Sequence, residues 1–437
     1  MNLLLQDPFA VLKEYPEKLT RTLENPLRTE CLQFSPCGNY LALGCSTGDV
    51  VIYDMDTFRP SCILGSKFGA HTRIIQSISW SPDGRYLLTG SGDWIVKVWD
   101  LQSPEQPLNE LAFDSPIWNC QWFNVESLLC IVTTFEENCA YLVDFKGQKS
   151  VSRAIDTLDT NEVDRGYVLT CNVCTKNPNI IITGTSKGWV DFIQIITTSP
   201  SAYEFNLLHA VKIANSNIKD VIISQNGDRI AVNSSDRTIR QYSLNISDNL
   251  SFIELELEHR YQDVINRLQW NCVFFSNKSA EYLVASPHGS STHELYLWET
   301  GSGTLVRVLE GAEEELMNIN WNFYNMCIAS NGFESGDVYI WSIVVPPKWS
   351  ALAPDFEEIE ENIEYQEKED EFDLEDELEQ QQEMTQVEEV PIDLRTMEHY
   401  DVRGNDLRRE KFIIPTDYER ILMMQSKRAA SKIGPSS

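Results

Sequence analysis

Positive charge is scarce in this sequence: 35 Lys and Arg stand against 66 Asp and Glu, for a formal net charge of −31 over 437 residues. That shortage excludes a protein that coats nucleic-acid backbones, which needs many cations to release counterions. It also argues against adhesion to an anionic membrane. Long apolar runs are missing, and none approaches the roughly 18–20 residues that span a bilayer. The opening Met1-Asn2-Leu3-Leu4-Leu5-Gln6-Asp7 has no basic residues and is cut by Asp7, so no signal peptide is expected. Histidine is sparse: the six (71, 209, 259, 288, 293 and 399) form no HExxH and no cluster. No Walker A loop is present, and Gly184 and Gly188 read as turn glycines. No nucleophile, base and orienting group assemble, so no enzyme, cofactor or metal is expected.

What is present is a large apolar complement, 42% of residues with 11 Trp, enough for a sizeable core. The 11 Cys are an odd number, scattered and mostly inside apolar runs, which fits reduced thiols in a cytosolic or nuclear setting. Cys171-Asn172-Val173-Cys174 has metal-site spacing, but on a strand residues three apart face opposite sides, so a shared metal is disfavoured. The charge is uneven. Residues 351–390 carry −17, residues 391–437 carry +2, and residues 1–350 carry −16.

An internal repeat decides the fold class. Phe34-Ser35-Pro36-Cys37-Gly38-Asn39-Tyr40-Leu41-Ala42 aligns with Trp80-Ser81-Pro82-Asp83-Gly84-Arg85-Tyr86-Leu87-Leu88, 46 residues on. Each is followed by a turn and an alternating strand, Val50–Asp54 and Ile95–Asp100. The unit recurs with decay. The strand-end positions 53, 99, 143, 192, 242, 298 and 341 step by 46, 44, 49, 50, 56 and 43, intervals the size of a propeller blade. Seven copies predict an all-β, seven-bladed propeller over residues 1–345. Leu3-Leu4-Leu5 is expected to supply the outer strand of the last blade and close the ring, which protects sheet edges.

The unit resembles the WD40 repeat, although only Trp99-Asp100 carries the literal dipeptide. In the second copy Gly69-Ala70-His71 stands where that family has its Gly-His pair, and Asp93 lies six residues before Trp99. The resemblance implies a hydrogen-bonded structural tetrad of His71, Thr89, Asp93 and Trp99, a reading that accounts for His71 and Asp93 better than an acid–base pair does. Asp236 and Tyr242 repeat the six-residue spacing in the fifth copy. Lys67, Arg73, Lys187, Arg237 and Arg240 are weighed as a local basic face against ordinary solvated charge, and solvated charge is preferred for each.

After Trp341 the pattern stops, and Pro346-Pro347-Lys348-Trp349 marks the exit. Dense like charge keeps the next stretch from folding alone, so an extended, largely disordered acidic tail is expected. Yet Phe356, Ile359, Ile363, Tyr365, Phe372 and Leu374 punctuate the acids, a pattern that suits a segment ordering on partner surfaces. Val387–Leu394 mixes acidic and aliphatic residues like a groove-docking peptide, and Phe412–Tyr418 is again apolar, able to dock on a partner or back on the propeller.

A propeller followed by Trp-Ser-Ala-x-Ala-Pro-Asp-Phe, a Glu-Asn-x-Glu-Tyr run and a Glu-Glu-Val motif resembles the retinoblastoma-binding protein 5 family. Its fungal counterpart is the WD40 subunit of COMPASS. The resemblance covers essentially the whole chain and implies a non-catalytic scaffold and activator of histone H3 lysine-4 methylation, supporting transcription regulation in the nucleus. It implies segments at 346–376 (activation and partner binding), 377–386 (linker), 387–394 (motif) and 395–437 (extension). The SET-domain methyltransferase subunit would meet Ala353, Pro354, Asp355, Phe356, Glu358, Ile359, Glu361, Asn362 and Tyr365. The SPRY-domain subunit would meet Glu367, Glu369, Asp370, Glu371, Phe372 and Asp373, within Gln366–Asp376. A second WD40 propeller subunit would meet Glu388, Glu389, Val390 and Ile392, where Pro391 departs from the family's usual acid. The nucleosome is reached through the complex. The alternative is a generic WD40 adaptor, such as a ubiquitin-ligase substrate receptor. The Trp-Asp-x-Arg such receptors often show is absent here, because Trp99-Asp100 continues Leu101-Gln102.

Overall fold

The computed structural model describes residues 15–343 and 412–422, apart from residues 66–68, 125–127, 147–149, 156–163, 200–201, 248–251, 264–266, 277–279, 290–292, 323 and 419. Among the described residues, twenty-eight strands form seven four-stranded antiparallel sheets. Strand β1 (Lys18–Leu23) stands apart in sequence from its sheet. Blade 1 holds β2 (Thr29–Phe34), β3 (Tyr40–Cys45), β4 (Val50–Asp54) and β5 (Arg59–Leu64). Blade 2 holds β6 (Ile75–Trp80), β7 (Tyr86–Ser91), β8 (Ile95–Asp100) and β9 (Asn109–Ala112). Blade 3 holds β10 (Ile117–Asn124), β11 (Leu129–Thr134), β12 (Tyr141–Asp144) and β13 (Val151–Ala154). Blade 4 holds β14 (Val168–Val173), β15 (Ile180–Thr185), β16 (Trp189–Ser199) and β17 (Ala202–Lys212). Blade 5 holds β18 (Ile218–Ile223), β19 (Arg229–Ser234), β20 (Ile239–Ile246) and β21 (Ile253–Tyr261). Blade 6 holds β22 (Gln269–Phe275), β23 (Tyr282–His288), β24 (Leu295–Glu299) and β25 (Leu305–Leu309). Blade 7 holds β26 (Leu316–Asn322), β27 (Cys327–Gly332) and β28 (Val338–Ser342), with β1 as its outer strand in the order β1-β28-β27-β26.

The Ser-Pro-x-Gly motif builds the turn between the first two strands of a blade. Ser35 N–H donates to Tyr40 O at 2.8 Å, and Gly38 N–H donates to Ser35 O at 2.8 Å. Gly38 lies at φ +73°, a backbone that glycine adopts without steric cost. The serine hydroxyl then accepts the first amide of the next strand, Tyr40 N–H at 3.1 Å. Ser81 and Ser224 repeat the arrangement with Tyr86 and Arg229, at 2.8 and 3.1 Å. Short side chain-to-backbone bonds of this kind are why Ser recurs at turns.

The core is distributed over seven clusters, one between each pair of neighbouring blades. Leu41, Leu43 and Val51 of blade 1 pack on Val338 and Ile340 of blade 7. Val50, Ile52 and Leu64 of blade 1 pack on Ile75, Ile78 and Trp99 of blade 2. Alternate residues of one strand therefore serve different clusters, because period-two side chains leave a strand on opposite faces. Indole N–H groups add polar links across blades: Trp80 donates to Gln33 O and Trp122 to Ser79 O, each at 3.0 Å.

Ring closure differs from the sequence expectation in position. Leu3–Leu5 lie outside the described residues, and the outer place in blade 7 belongs to β1. Leu19 pairs with Trp341 and Leu23 with Val338. The Leu-rich opening is the more apolar stretch, but Lys18–Leu23 is mostly polar with two apolar contacts: Leu23 is buried against Val338 and Ile340 and Leu19 packs on the blade 6–7 cluster, while Thr20, Arg21 and Thr22 face solvent. A strand that keeps most of its side chains in solvent fits an outer place better than a continuous apolar run does.

Candidate protein-interaction surface

Blade 2 contains one closed polar network. His71, 3% exposed, sits just before β6, Thr89 on β7, Asp93 in the β7–β8 turn and Trp99 on β8. His71 Nδ1 donates to Asp93 Oδ2 at 2.9 Å. The Thr89 hydroxyl is 2.8 Å from His71 Nε2 and accepts the Trp99 indole N–H at 2.9 Å. Asp93 also accepts the Thr72 and Ile95 amides at 3.0 and 3.1 Å. Burial lowers the His71 pKa, outweighing the carboxylate beside it, so the imidazole is neutral. Burial works to raise Asp93, but the bonds from His71 and the two amides prevail and hold it at about 2. Both ring nitrogens are committed, so His71 has no lone pair free to act as a base.

Other blades solve the same packing problem differently. In blade 5 Asp236 turns to Ser234 and Arg240, and the Arg240–Asp236 pair closes at 2.5 Å, while no bond joins Asp236 to Tyr242. Arg240 is thus largely buried in an ion pair rather than part of a basic face. In blade 7 buried Glu314 accepts the Glu334 and Ser335 amides at 2.6 and 2.8 Å and the Tyr339 hydroxyl at 3.1 Å. No motif marked Glu314 in the sequence. Of the other weighed cations, Arg73, Lys187 and Arg237 are exposed, Lys187 is paired with Asp164, and Lys67 lies outside the described residues.

Cys171 and Cys174 point to different clusters, Cys171 between blades 3 and 4 and Cys174 between blades 4 and 5. None of the 11 cysteines is in a disulfide, and eight are buried. No group of three His, Cys, Asp or Glu is placed to hold a metal among the described residues. Two pentapeptides, Gly44-Cys45-Ser46-Thr47-Gly48 and Gly184-Thr185-Ser186-Lys187-Gly188, have the Gly-x-Ser-x-Gly spacing of a hydrolase elbow. Both are turns between the second and third strands of a blade. Ser46 Oγ donates to Leu27 O at 3.1 Å and Ser186 Oγ accepts the Tyr167 amide at 2.9 Å, so neither is a nucleophile with a base.

The structure exposes large apolar side chains that sequence periodicity could not separate from core residues. Ile74, Trp94, Trp118, Phe135, Tyr167 and Phe333 are all at least one-third exposed. By strand register they share one end of the blades, where the first strand begins and the second ends: Ile75 pairs with Ser91, Ile117 with Thr134, and Leu316 with Gly332. Trp118 and Phe135 meet at a tilted angle of 42°, with centroids 5.8 Å apart. Exposed aromatics gathered on one face mark an interaction surface more than a folding requirement.

A second apolar feature comes from the far end of the chain. Residues 412–422 lie on blade 1 where it meets blade 2, with Ile414 buried among Cys62, Leu64 and Leu101. The predicted contact residues Ala353–Tyr365, Glu367–Asp373 and Glu388–Ile392 all lie outside the described residues.

Residues 62–100 match the family described as WD domain, G-beta repeat. The chain is 65% identical over 429 residues to COMPASS component SWD1 of Saccharomyces cerevisiae, covering 98% of this chain and 100% of that protein. The chain belongs to the Swd1 family. It is 37% identical over 381 residues to the Schizosaccharomyces pombe Set1 complex component swd1, covering 86% of this chain and 90% of that one. The Drosophila melanogaster retinoblastoma-binding protein 5 homolog is 32% identical over 410 residues, 91% of this chain and 78% of that one, which joins the Swd1 family to its animal counterpart. The crystal structure of the Cps50 (Swd1) β-propeller domain of Myceliophteria thermophila superposes with a TM-score of 0.67 at 32% identity, covering 75% of this chain and all of that domain.

Proposed function

We propose that this Swd1-family protein is a non-catalytic WD40 scaffold subunit of a COMPASS complex, the histone H3 lysine-4 methyltransferase, acting in the nucleus on chromatin. The observation that carries this reading is the likeness, over nearly the whole length, to a protein named as a COMPASS component. The propeller fits the role: a ring whose His71–Asp93–Thr89–Trp99 network is closed on itself and whose one face exposes aromatics is suited to holding partners rather than performing chemistry.

In the finer reading, Ala353–Tyr365 contact the SET-domain subunit, Gln366–Asp376 the SPRY-domain subunit, and Glu388, Glu389, Val390 and Ile392 a second propeller. Support comes from the sequence alone: acids interrupted by Phe356, Ile359, Tyr365 and Phe372, then the Glu-Glu-Val motif. Methyl transfer needs a well-ordered site, and a partner that fixes a mobile part of it raises the competent population without supplying a chemical group.

The test is deletion of Ala353–Tyr365 in the reconstituted complex. Methylation should fall several-fold while the propeller melts at its usual temperature; unchanged methylation rejects the activator role. A ubiquitin-ligase adaptor is the weaker reading. Asp100 of the lone Trp-Asp is occupied by Arg85 at 2.7 Å, and no Arg follows two residues on.

A further inference from the structure

Residues 98–145 contain no Lys or Arg and eight Asp and Glu. They run from the end of β8 in blade 2 through the three inner strands of blade 3. Two of the acids are already paired, Asp100 with Arg85 and Glu110 with Lys97. Asp114, Glu136 and Glu137 are not: none of the three is in an ion pair among the described residues. All three lie at the end of blade 3 that exposes Trp118 and Phe135. Asp114 precedes β10, and Glu136 and Glu137 follow β11. Blade 4, next in the ring, supplies no spare cation from Arg165 or Lys187, which are held by Asp191 and Asp164.

The two rings are displayed by the backbone. Trp118 stands at a bulge, where the register of β10 on β11 shifts between Ile117 and Asn119. A bulge takes one residue out of the ladder and re-aims its side chain. The matching bulges hold Glu30, Gln76, Leu169, Lys219 and Asn271 in blades 1, 2, 4, 5 and 6, so the indole is particular to blade 3. Trp118 is 46% exposed and Phe135 44%. The turn after β11 is braced on both sides. Phe135 N–H donates to Pro116 O at 2.9 Å, and Val168 N–H of blade 4 donates to Glu137 O at 3.0 Å. Burial, then Glu137, Cys139 and Asp114, push the Tyr141 hydroxyl up, so carboxylates from before Trp118 and after Phe135 converge on one place. Rings and acids are therefore set before any ligand arrives.

The face of an aromatic ring attracts a cation. An uncharged apolar partner would instead bury these carboxylates without counter-charges, which is costly. We propose that the Trp118–Phe135 pair of blade 3 is a binding site for a cationic side chain of a basic peptide, with Asp114, Glu136 and Glu137 as its counter-charges. Charge argues against occupants from this chain. Residues 351–390 carry −17 and would be repelled, as would a second propeller, since residues 1–350 carry −16. The site stands apart from the scaffold function, whose test reads methylation.

The experiment uses the full-length chain and a fluorescein-labelled peptide of alternating arginine and glycine, followed by anisotropy at about 0.15 M salt, where screening acts over about 8 Å. The control peptide has citrulline, the neutral isostere, at each arginine. Four variants are compared with the unaltered protein: Trp118→Ala, Trp118→Phe, Asp114→Asn combined with Glu136→Gln, and Phe252→Ala. Phe252 is 59% exposed, on blade 5 between β20 and β21. The arginine peptide should bind at least tenfold more tightly than the citrulline peptide. Trp118→Ala and the double variant should each weaken it at least fivefold, with melting temperatures close to the unaltered protein's because the altered side chains are exposed. Trp118→Phe keeps a ring face and should stay within threefold, and Phe252→Ala within twofold. Every variant keeps the acidic tail, so equal binding by Trp118→Ala and the unaltered protein would place the peptide on the tail and overturn the proposal. Equal binding of the citrulline peptide, an equal loss in Phe252→Ala, or no binding of the arginine peptide overturns it too.

Discussion

Trp99 gives its indole N–H to the Thr89 hydroxyl at 2.9 Å, and that same hydroxyl stands 2.8 Å from His71 Nε2. One oxygen therefore satisfies two buried rings. Thr89→Val keeps the shape and removes the oxygen, leaving both groups unpaired. The expected loss is about 2–4 kcal/mol, since each orphaned buried group costs about 1–3. Urea unfolding of the purified propeller measures it; a loss below about 0.5 kcal/mol would mean water replaces the hydroxyl.

The same network sets an acid limit. An unfolded chain titrates its His near 6.5 and its Asp near 3.9, whereas folding lowers the pKa of His71 and takes Asp93 to about 2. On both groups the unfolded state binds more protons, so stability must fall as pH falls. The His71 part begins to go below about pH 6.5. The Asp93 part, on the order of 2 kcal/mol, is present above about pH 4 and leaves as pH drops toward 2. A melting series from pH 8 to pH 3 should show wild type converging on His71→Gln as acid is added; divergence would contradict the assignment of a neutral His71.

Two glycines with left-handed backbones separate strain from crowding. At Gly48, φ +91°, an added Cβ would lie 2.1 Å from the His71 carbonyl oxygen, while at Gly84, φ +73°, it meets nothing within 4 Å. Gly84→Ala should cost only the backbone penalty of about 1–2 kcal/mol. Gly48→Ala must also displace backbone and should cost clearly more, as read by denaturant midpoint. Equal costs would show that the turn holding His71 yields freely.

Exposure, not residue type, decides what a tryptophan contributes. Trp99 is 1% exposed and Trp118 is 46% exposed. Trp99→Ala should cost about 3–5 kcal/mol, and Trp118→Ala well under half of that. Calorimetry on both variants checks the ordering.

Ring closure depends on β1, which comes from the opposite end of the propeller sequence from its partner β28. Removing residues 1–24 bares the β28 edge and strips Leu23 from its cluster with Val338 and Ile340. Exposed strand edges associate, so the shortened chain should elute as oligomers or aggregate on size exclusion. A stable monomer would show that three strands suffice for blade 7.

The blades were legible because each rests on local signals: a Ser-Pro-x-Gly turn, period-two strands and a regular step. Those features repeat, so even decayed copies could be placed by spacing. Position within the ring was less legible. Leu3–Leu5 looked like the closing strand because they are apolar, yet the partner of Trp341 is Leu19. Pairing across more than 300 residues leaves no local trace. Arg240 looked solvated until Asp236 was placed opposite it. Nothing in the sequence sets Trp94 and Phe333 apart from buried aromatics; their exposure comes from the turns that carry them at one end of the blades.

By itself, then, the sequence determined the all-β class, the sevenfold repeat, the polar residues of blade 2 and the acidic tail, because periodicity and charge are local properties. Only the tertiary structure decided which strand closes the ring, which aromatics face water and that Phe412–Leu422 returns to blades 1 and 2. Each of those depends on surfaces assembled from distant strands. Ile414 is an ordinary apolar residue until Cys62, Leu64 and Leu101 are brought together to receive it.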